Sequence, residues 1–377
     1  MMKKNEFIND DIKVSRLGFG LMRLPVIEND NGQIDYKKSR ELVESAIENG
    51  ITYFDTAYVY HNNQSEIFAG EMFRDGLREK LYLATKLPVW KIDKEEDFFT
   101  LLDTELQRLQ TDYIDFYLLH SLDKNRFNMV KEKNVYHNAM KSKAEGKIRY
   151  LGFSFHDDIS VFKEIIDTYD FDFCQIQLNY LDENYQAGLE GMRYAKSKGL
   201  GVVVMEPLRG GQLARLPQSI IDNLDGNMPA ELALSYLYNM PEVDVVLSGM
   251  NELFQIEENS KTASEVLPDS LSKEILEKID YLKNEIHSRI KVDCTRCNYC
   301  MPCPTGVKIP SVFAAYNNKY IFEDNDKYQK NYKELLNDKS GQPNCIECGQ
   351  CEDACPQHLS IIEDLKKAHK DLIGGIE

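Results

Sequence analysis

Three short runs of β-branched, aromatic and aliphatic residues decide the fold: ITYFDTA (51–57), LYLATKL (81–87) and IDFYLLH (114–120). Runs of this composition are typical of buried β-strands. Outward from them, the pattern recurs near 17–21 and at YLGFSFH (150–156), FCQIQLN (173–179), GVVVMEPL (201–208) and VDVVLSG (243–249). The sequence therefore predicts eight strands between residues 17 and 249.

Helical segments separate these strands, and they are predicted at 38–49, 95–110, 132–144, 188–198 and 229–239, with later helices at 253–265 and 272–286. Regular alternation of strand and helix predicts an α/β fold, a (β/α)8 TIM barrel. A doubly wound open sheet is the alternative. It lacks its main support, because no G-x-G-x-x-G follows the first strand and Gly18-Phe19-Gly20 alone is weak evidence.

Polar residues collect where successive predicted strands end. The second strand finishes at Asp55 with Tyr60 in the following loop, the third ends near Lys86, and the fourth ends on His120. Each residue alone has a structural interpretation, such as a loop cap or a satisfied strand-end histidine. Barrel enzymes, however, place their chemistry at the carboxyl ends of the strands. An acid, a phenol, an amine and an imidazole at one rim therefore predict an active site.

These residues lie in motifs that resemble the aldo-keto reductase family over about residues 12–265. The motifs are FDTAYVYHNNQSE (54–66), ATK (84–86), YLLH (117–120), GKIRYLGFS (146–154) and SGMNELFQIEEN (248–259). The resemblance implies an oxidoreductase that reduces a small-molecule carbonyl substrate with NAD(P)H. It places the family's catalytic tetrad on Asp55, Tyr60, Lys86 and His120.

Carbonyl reduction explains why these four residue types occur together. The reaction needs a hydride on carbon and a proton on oxygen, and free tyrosine, with a pKa of about 10, holds its proton tightly. We expect Lys86 to stabilise the phenolate and lower the pKa of Tyr60. Asp55 is expected to pair with Lys86, and His120 to donate to, or orient, the carbonyl oxygen.

The same resemblance implies a set of nucleotide contacts, which match the family unevenly. They are Ser154, Gln175, Met205, Pro207, Leu208, Gly249, Gln255 and Asn259. Phe155 stands where the family has an asparagine, and Met205 stands where it often has a stacking tyrosine. Glu252 occupies the position of a basic residue that holds the 2′-phosphate of NADPH, unless Lys261 or Arg209 supplies that charge. NADH and NADPH therefore both stay open.

Charge and hydropathy exclude several partners. The chain of 377 residues has 45 basic and 62 acidic residues, a net charge of −17. This balance disfavours nucleic acid and anionic membrane surfaces, which need clustered Lys and Arg. No run resembles a signal peptide, and none approaches the roughly twenty apolar residues that span a bilayer. We expect a cytoplasmic protein with no nucleic-acid or membrane partner.

Cysteine usage divides the chain. Eight of the nine cysteines lie after residue 290. In an intracellular protein such a concentration indicates metal binding or catalysis rather than disulfides. The sequence therefore predicts a barrel over 1–290 and a small second domain over 291–377. The remaining cysteine, Cys174, is predicted to be a small core residue.

The eight cysteines form two groups with one pattern, CTRCNYCMPCP (294–304) and CIECGQCEDACP (345–356). A triplet followed by Cys-Pro resembles bacterial two-cluster ferredoxins, which implies a ferredoxin-like domain with two 4Fe-4S clusters. By this resemblance the ligand sets are crossed: Cys294, Cys297, Cys300 and Cys355 hold one cluster, and Cys345, Cys348, Cys351 and Cys303 hold the other. The gap before Cys303 is two residues instead of three. A pair of zinc sites, each with four cysteine ligands, is the alternative.

Together, barrel and tail resemble the iron–sulfur-containing branch of the aldo-keto reductases. Three interpretations follow. The first is a nicotinamide-dependent carbonyl reductase with structural or regulatory clusters. The second is a reductase in which single electrons from ferredoxin or another carrier pass through the clusters to a flavin or a substrate. Phe155 and Met205, which depart from the family's nicotinamide contacts, keep this interpretation open. The third, a degenerate scaffold for an electron carrier, conflicts with the complete tetrad. Oxygen-sensitive clusters also suggest an anaerobic host.

Overall fold

The computed structural model describes residues 2–27, 32–74, 76–296, 298–355 and 357–374, with the side chains of 9–11 also outside the description. The chain divides into two compact units. The first comprises 1–213 and 230–276, and the second comprises 214–229 and 277–377. The second unit thus includes 277–290 as well as the cysteine-rich region. The predicted domain boundary at 290/291 stays a prediction.

The first unit contains the predicted barrel. Its strands are β1 (Lys4–Phe7), β2 (Asn9–Ser15), β3 (Leu17–Gly20), β4 (Tyr53–Asp55), β5 (Tyr82–Leu87), β6 (Ile114–Leu122), β7 (Ile148–Phe155), β8 (Phe173–Gln177), β9 (Gly201–Met205) and β10 (Val245–Ser248). Strands β3 to β10 are parallel and close in chain order, with β10 paired to β3. The eight predicted strands and the (β/α)8 barrel are confirmed.

Helices follow most of the strands. They are α1 (Tyr36–Glu48), α2 (Ser65–Met72), α3 (Asp97–Leu109), α4 (Lys124–Glu132), α5 (Val135–Ala144), α6 (Ile159–Thr168), α7 (Gly188–Ser197), α8 (Gln218–Ile221), α9 (Pro229–Tyr238) and α10 (Leu253–Glu265). Side-chain caps begin several of them. Asp35 accepts a hydrogen bond from the backbone N–H of Lys38 at 3.1 Å, and Asp158 caps α6 in the same way. Such caps satisfy backbone donors that have no partner within the helix.

An antiparallel hairpin, β1–β2, was not predicted and plugs one end of the barrel. Phe7 is fully buried, with its ring centroid 5.1–6.3 Å from the rings of Tyr53, Phe116 and Phe173. Tyr53 and Phe173 begin their strands, so the plug lies at the amino-terminal ends. A Cβ on Gly201 would lie 2.4 Å from the Phe7 ring, which explains the glycine there. The carboxyl ends are left for the polar residues.

The second unit is helical. Besides α8, its helices are α11 (Lys273–Ser288, which begins in the first unit), α12 (Ile309–Phe322), α13 (Asn325–Asn337), α14 (Gln350–Asp353) and α15 (Ile361–Leu372). A core that includes Val312, Phe313 and Leu365 supports the partly buried cysteines. Asn317 holds the segment that leads into the first cysteine group. Its side chain forms hydrogen bonds of 2.8–3.0 Å with the backbone of Lys291 and Val292. In the described part of the chain, no helix is long and apolar enough to cross a membrane.

Candidate active site

The predicted tetrad converges at the carboxyl ends of β4, β5 and β6. Lys86 Nζ donates to Asp55 Oδ1 at 2.6 Å, to the Thr56 carbonyl at 2.7 Å and to Tyr60 Oη at 3.3 Å. Lys86 is 1% exposed and Asp55 is 3% exposed. A buried ammonium is stable only with such a full set of oxygen partners. The parallel pairing of β4 and β5 brings the acid and the amine together.

His120 completes the group from the adjacent strand. Its ring meets the Tyr60 ring edge-on, with centroids 6.1 Å apart, and the centroid of the Trp90 ring lies 5.2 Å from that of the imidazole. The imidazole is buried, and its Nδ1 atom has no hydrogen-bond partner among the described residues. The structure therefore brings all four predicted catalytic residues to one rim.

Burial and charge set the protonation of this group. Burial alone would lower the pKa of Lys86, but the charge of Asp55 and the hydrogen bonds with Asp55 and Tyr60 outweigh it and raise that pKa, so the ammonium stays charged. Burial, helped by the Lys86 charge, lowers the pKa of His120 well below its usual value. The imidazole is therefore neutral near pH 7.

The expectation for Tyr60 is corrected. Burial raises the pKa of the Tyr60 phenol above its ordinary value, and the opposing charge of Lys86 only reduces this rise. The direction predicted for the effect of Lys86 holds, but the predicted net lowering is wrong because desolvation of the phenolate is the larger effect. The phenol is consequently fully protonated near neutral pH.

Nucleotide contacts predicted on β7 to β9 lie on neighbouring strands. Ser154 is in register with Gln175, and its Oγ accepts from the Ser121 backbone N–H at 2.7 Å. Gln175 Nε2 donates to Met205 Sδ at 3.6 Å, while its buried Oε1 has no partner in the described part of the chain. Beyond Met205, Pro207 is buried and Leu208 is partly exposed. Gln175 thus offers an acceptor beside the side chain of Met205.

The contacts predicted after β10 form a second group. A Cβ on Gly249 would lie 2.6 Å from Arg23 Cγ, so the glycine allows a close approach of the β3 loop. Gln255 Oε1 accepts from the backbone N–H groups of Asn251 at 2.8 Å and Glu252 at 3.3 Å, which supports the start of α10. Asn259 Nδ2 donates to Ser248 Oγ at 3.2 Å. These residues hold the local structure around the end of β10 and the start of α10.

Several features of the rim were not predicted. Thr56 acts through its backbone carbonyl, which leaves no side-chain signal in the sequence. Trp90 is the one tryptophan of the chain, and this rarity was a signal in the sequence that could have pointed to it. Three successive residues after Tyr60, His61 to Asn63, have left-handed backbone with φ of 49°, 52° and 69°. Such residues cost about 1–3 kcal/mol each and persist only where other contacts hold them.

The cysteines of the second unit line two cavities. The larger, of about 210 Å³, is lined by Cys300, Cys303, Cys345, Cys348 and Cys351. The smaller, of about 20 Å³, is lined by Cys294, Cys300 and Cys355. Cys303 thus lies with the second triplet and Cys355 with the first, as in the crossed ligand sets. The remaining predicted ligand, Cys297, lies outside the described residues.

The two cysteine groups share a backbone conformation. Arg296 and Asn298 have φ of 58° and 64°, and the corresponding Glu347 and Gly349 have φ of 58° and 78°. Left-handed residues at these points turn the chain around a concave side. In the larger cavity, Cys345 Sγ accepts from the Glu347 backbone N–H at 3.4 Å. No three His, Cys, Asp or Glu side chains converge on a single ion site within the described ranges.

Comparison with known proteins agrees with both regions. The profile of the aldo/keto reductase family matches residues 16–280, and that of the 4Fe-4S dicluster domain matches residues 293–359. A probable aldo-keto reductase 1 from Glycine max is 26% identical over 306 residues, which cover 71% of this chain and 86% of the relative.

Solved structures agree as well. Aldo-keto reductase AKR11C1 from Bacillus halodurans in its holo form is 28% identical with a TM-score of 0.62, covering 74% of this chain and 96% of that one. An aldo-keto reductase from Klebsiella pneumoniae in complex with NADPH shares the fold at 23% identity, with a TM-score of 0.62 and coverage of 75% and 95%. Both resemblances predicted from the motifs are confirmed.

Proposed function

The chain belongs to the aldo/keto reductase family and carries a C-terminal 4Fe-4S dicluster domain, and from this premise we propose that it reduces the carbonyl group of a small molecule with NAD(P)H. One observation carries the proposal. A charged, buried Lys86 lies 3.3 Å from the hydroxyl of Tyr60, beside a neutral His120. This arrangement serves proton delivery to an oxygen atom.

Tyr60 is the proton donor. Its raised pKa keeps the phenol protonated near neutral pH, so the acid form is available for each turnover. As the proton leaves, the Lys86 ammonium stabilises the phenolate that forms. Asp55 and the Thr56 carbonyl hold Lys86 in place at 2.6 and 2.7 Å, so little rearrangement is needed when charge develops.

His120 orients the substrate oxygen. A neutral imidazole has one N–H donor and one acceptor nitrogen. Because its Nδ1 has no partner in the described structure, the ring is not committed to a second protein group on that side. A hydrogen bond from His120 to the carbonyl oxygen would strengthen as negative charge develops there.

The residues of β7 to β10 fit a nicotinamide nucleotide. When bound, this cofactor supplies the hydride. The unpartnered Gln175 Oε1 and the hydroxyl of Ser154 suit a carboxamide, and Met205, beside Gln175, suits an aromatic ring face. Gly249, Gln255 and Asn259 suit the remainder of the nucleotide. Glu252 at the start of α10 weighs against a 2′-phosphate, so NADH and NADPH are both within the proposal.

In the second unit we assign two 4Fe-4S clusters to the two cysteine-lined cavities. The crossed sets are Cys294, Cys297, Cys300 and Cys355 for one, and Cys345, Cys348, Cys351 and Cys303 for the other. Hydrogen bonds support a thiolate at Cys303. Burial alone would raise its pKa, but the Thr305 hydroxyl and nearby backbone N–H groups outweigh burial and lower it. Thiolates are the form that binds iron.

Replacing Tyr60 by phenylalanine tests the barrel chemistry. In anaerobically purified protein, Tyr60→Phe should lower kcat for aldehyde reduction by about 10²–10⁴-fold, the usual share of a general acid, with the iron content unchanged. Tyr82→Phe removes a hydroxyl from the opposite end of β5 and should keep full activity. Full activity in Tyr60→Phe would show that Tyr60 is not the proton donor.

A second candidate function is reduction fed by the clusters, with single electrons from ferredoxin or a similar carrier. It is favoured by the dicluster domain and by Phe155 and Met205, which depart from the usual nicotinamide contacts. Anaerobic titration with NADH and NADPH tests whether the nucleotide and the clusters are electronically connected. Bleaching of the cluster absorbance would show that nucleotide and clusters exchange electrons, whereas unchanged absorbance would leave the clusters outside the nicotinamide reaction.

A further inference from the structure

The segment 56–65, which carries Tyr60, is held by hydrogen bonds of its own and by contacts from other elements. Between β4 and α2 it contains three left-handed residues in succession, His61 to Asn63, of types that adopt this conformation more readily than other non-glycine residues. Its internal hydrogen bonds run from Thr56 Oγ1 to Ser65 Oγ at 2.7 Å and from the Tyr60 N–H to the Ala57 carbonyl at 3.1 Å. Two more span the left-handed residues, from the Gln64 N–H to the His61 carbonyl at 3.0 Å and from the Ser65 N–H to the Tyr60 carbonyl at 3.3 Å. Contacts from elsewhere in the first unit add to these bonds, such as the one from His61 Nε2 to the Leu21 carbonyl at 3.0 Å.

Lys91 Nζ lies 5.1 Å from the centroid of the Tyr58 ring, and Arg108 of α3 makes a closer contact with it. Its guanidinium carbon lies 4.1 Å from the centroid of the Tyr58 ring, and its NH1 atom lies 3.5 Å from the Tyr58 carbonyl oxygen. Tyr58 is two residues before Tyr60. A guanidinium can stack on an aromatic face and donate in its own plane at the same time, which an ammonium cannot do. Arg108 therefore holds both the ring and the backbone of this segment.

Arg108 is itself held by a buried carboxylate. Its NH1 donates to Glu66 Oε2 at 3.1 Å, and Glu66 Oε1 accepts from Thr85 Oγ1 at 2.6 Å. The side chain of Glu66 is fully buried. Thr85 precedes Lys86 on β5, and side chains alternate between the two faces of a strand. The contacts thus run from the strand that carries Lys86, through α2 and α3, to the loop that carries Tyr60.

We propose that Arg108 is a positioning residue for Tyr60, which with Glu66 holds the loop 56–65 in the conformation where the phenol contacts Lys86. The proposal rests on the proposed role of Tyr60 as proton donor only for its catalytic consequence. The geometric role of Arg108 is separate and is measured separately.

Arg78 provides a matched control. It is 10% exposed, pairs with the buried Asp115 at 2.8 Å, stacks over Tyr113 at 4.2 Å and donates to the Tyr113 carbonyl at 2.8 Å. The chemistry is the same as at Arg108, but the loop of Tyr60 is not involved. Arg78→Lys and Arg108→Lys therefore make equal chemical changes, and only one of them should affect Tyr60.

The first measurement is titration of Tyr60 in the full, cluster-containing protein. Tyrosine labelled with ¹³C at Cζ is followed by NMR, and Tyr60 is assigned by the signal missing from Tyr60→Phe. In Arg108→Lys the phenol should gain solvent, so the pKa of Tyr60 should fall towards about 10. Arg78→Lys should leave the titration as in the wild type. An unchanged titration in Arg108→Lys would overturn the proposal.

The second measurement is kinetic, with NADPH and 4-nitrobenzaldehyde. Arg108→Lys should lower kcat about 10- to 100-fold, as small misplacements of reacting groups do, with KM for NADPH changed less than about twofold. If Arg108→Lys does not fold, Tyr58→Leu removes the stacked ring at a partly exposed site and should give the same two results. A wild type inactive with every aldehyde would contradict the proposed function, and the NMR titration would still decide the role of Arg108.

Discussion

The barrel rim and the cysteine-rich unit are built in opposite ways. At the rim, protein atoms satisfy the central charge, since Lys86 has three oxygen partners within 3.3 Å. In the second unit, five cysteine side chains help to line a cavity of about 210 Å³, and most of them pack against a helical core. The charge of Lys86 is therefore held by protein atoms, whereas the larger cysteine-lined cavity suits an inorganic group. The two regions should respond differently to loss of metal and to loss of single side chains.

The largest effect is expected from removing a cluster ligand. Cys348→Ser should lower the iron content from about eight to about four atoms per chain, because one of two four-iron clusters loses a thiolate. The second unit should unfold more easily, since metal-binding energy contributes to the folding of such sites. Iron analysis and thermal unfolding under anaerobic conditions measure both effects.

Cys174→Ser is the control for this change, because Cys174 is fully buried in the barrel. That variant should retain its iron. Equal iron loss in both variants would contradict the assignment of Cys348, and unfolding of the barrel together with the second unit would break the contrast drawn above.

A comparably sharp effect at the rim is expected from Lys86→Met. Without the ammonium, Asp55 is a buried carboxyl without its ion-pair partner, and breaking a buried pair costs about 3–5 kcal/mol. Activity should fall by about 10²–10⁴-fold, because nothing stabilises the Tyr60 phenolate. Iron content should stay at the wild-type level. Loss of iron from this variant would show that the two regions are not independent.

A smaller effect is expected from pH. The folded pKa of His120 lies below its unfolded value of about 6.5, so between these values the unfolded chain binds more protons. Stability then rises with pH, and falls as the pH is lowered below about 6.5, by up to about 1.4 kcal/mol per pH unit for one group. His120→Asn should flatten this dependence. Denaturant unfolding followed by Trp90 fluorescence at about pH 7 and about pH 5.5 checks it, and an equal slope in both proteins would contradict a neutral His120.

The smallest effect is expected at the nucleotide end. Glu252→Lys places a positive charge at the start of α10 and should raise the preference for NADPH over NADH a few-fold, about 1 kcal/mol as for an exposed ion pair. Glu257→Lys makes the same charge change at another exposed position of the helix. A matching shift in both variants would indicate a general charge effect instead of a contact with the 2′-phosphate.

Much of this architecture follows from local patterns. Strand-forming runs, the helical segments between them and the spacing of the cysteines are short-range properties, so the barrel and the dicluster domain could be predicted. The four rim residues were identified because strand ends of a parallel barrel meet at one edge. The hairpin plug was missed. It depends on Phe7 meeting Tyr53, Phe116 and Phe173 across the barrel, and no local pattern encodes that contact.

The sequence by itself determined the residue types available: a complete tetrad, two cysteine groups and an excess of acidic residues. Only the tertiary structure decided how those residues behave. It made the pKa of Tyr60 higher instead of lower, because desolvation depends on everything packed around the phenol. It also recruited Arg108 and Glu66 from two helices to the loop of Tyr60. Burial and long-range contact are properties of the packed molecule, and a linear pattern carries them only indirectly.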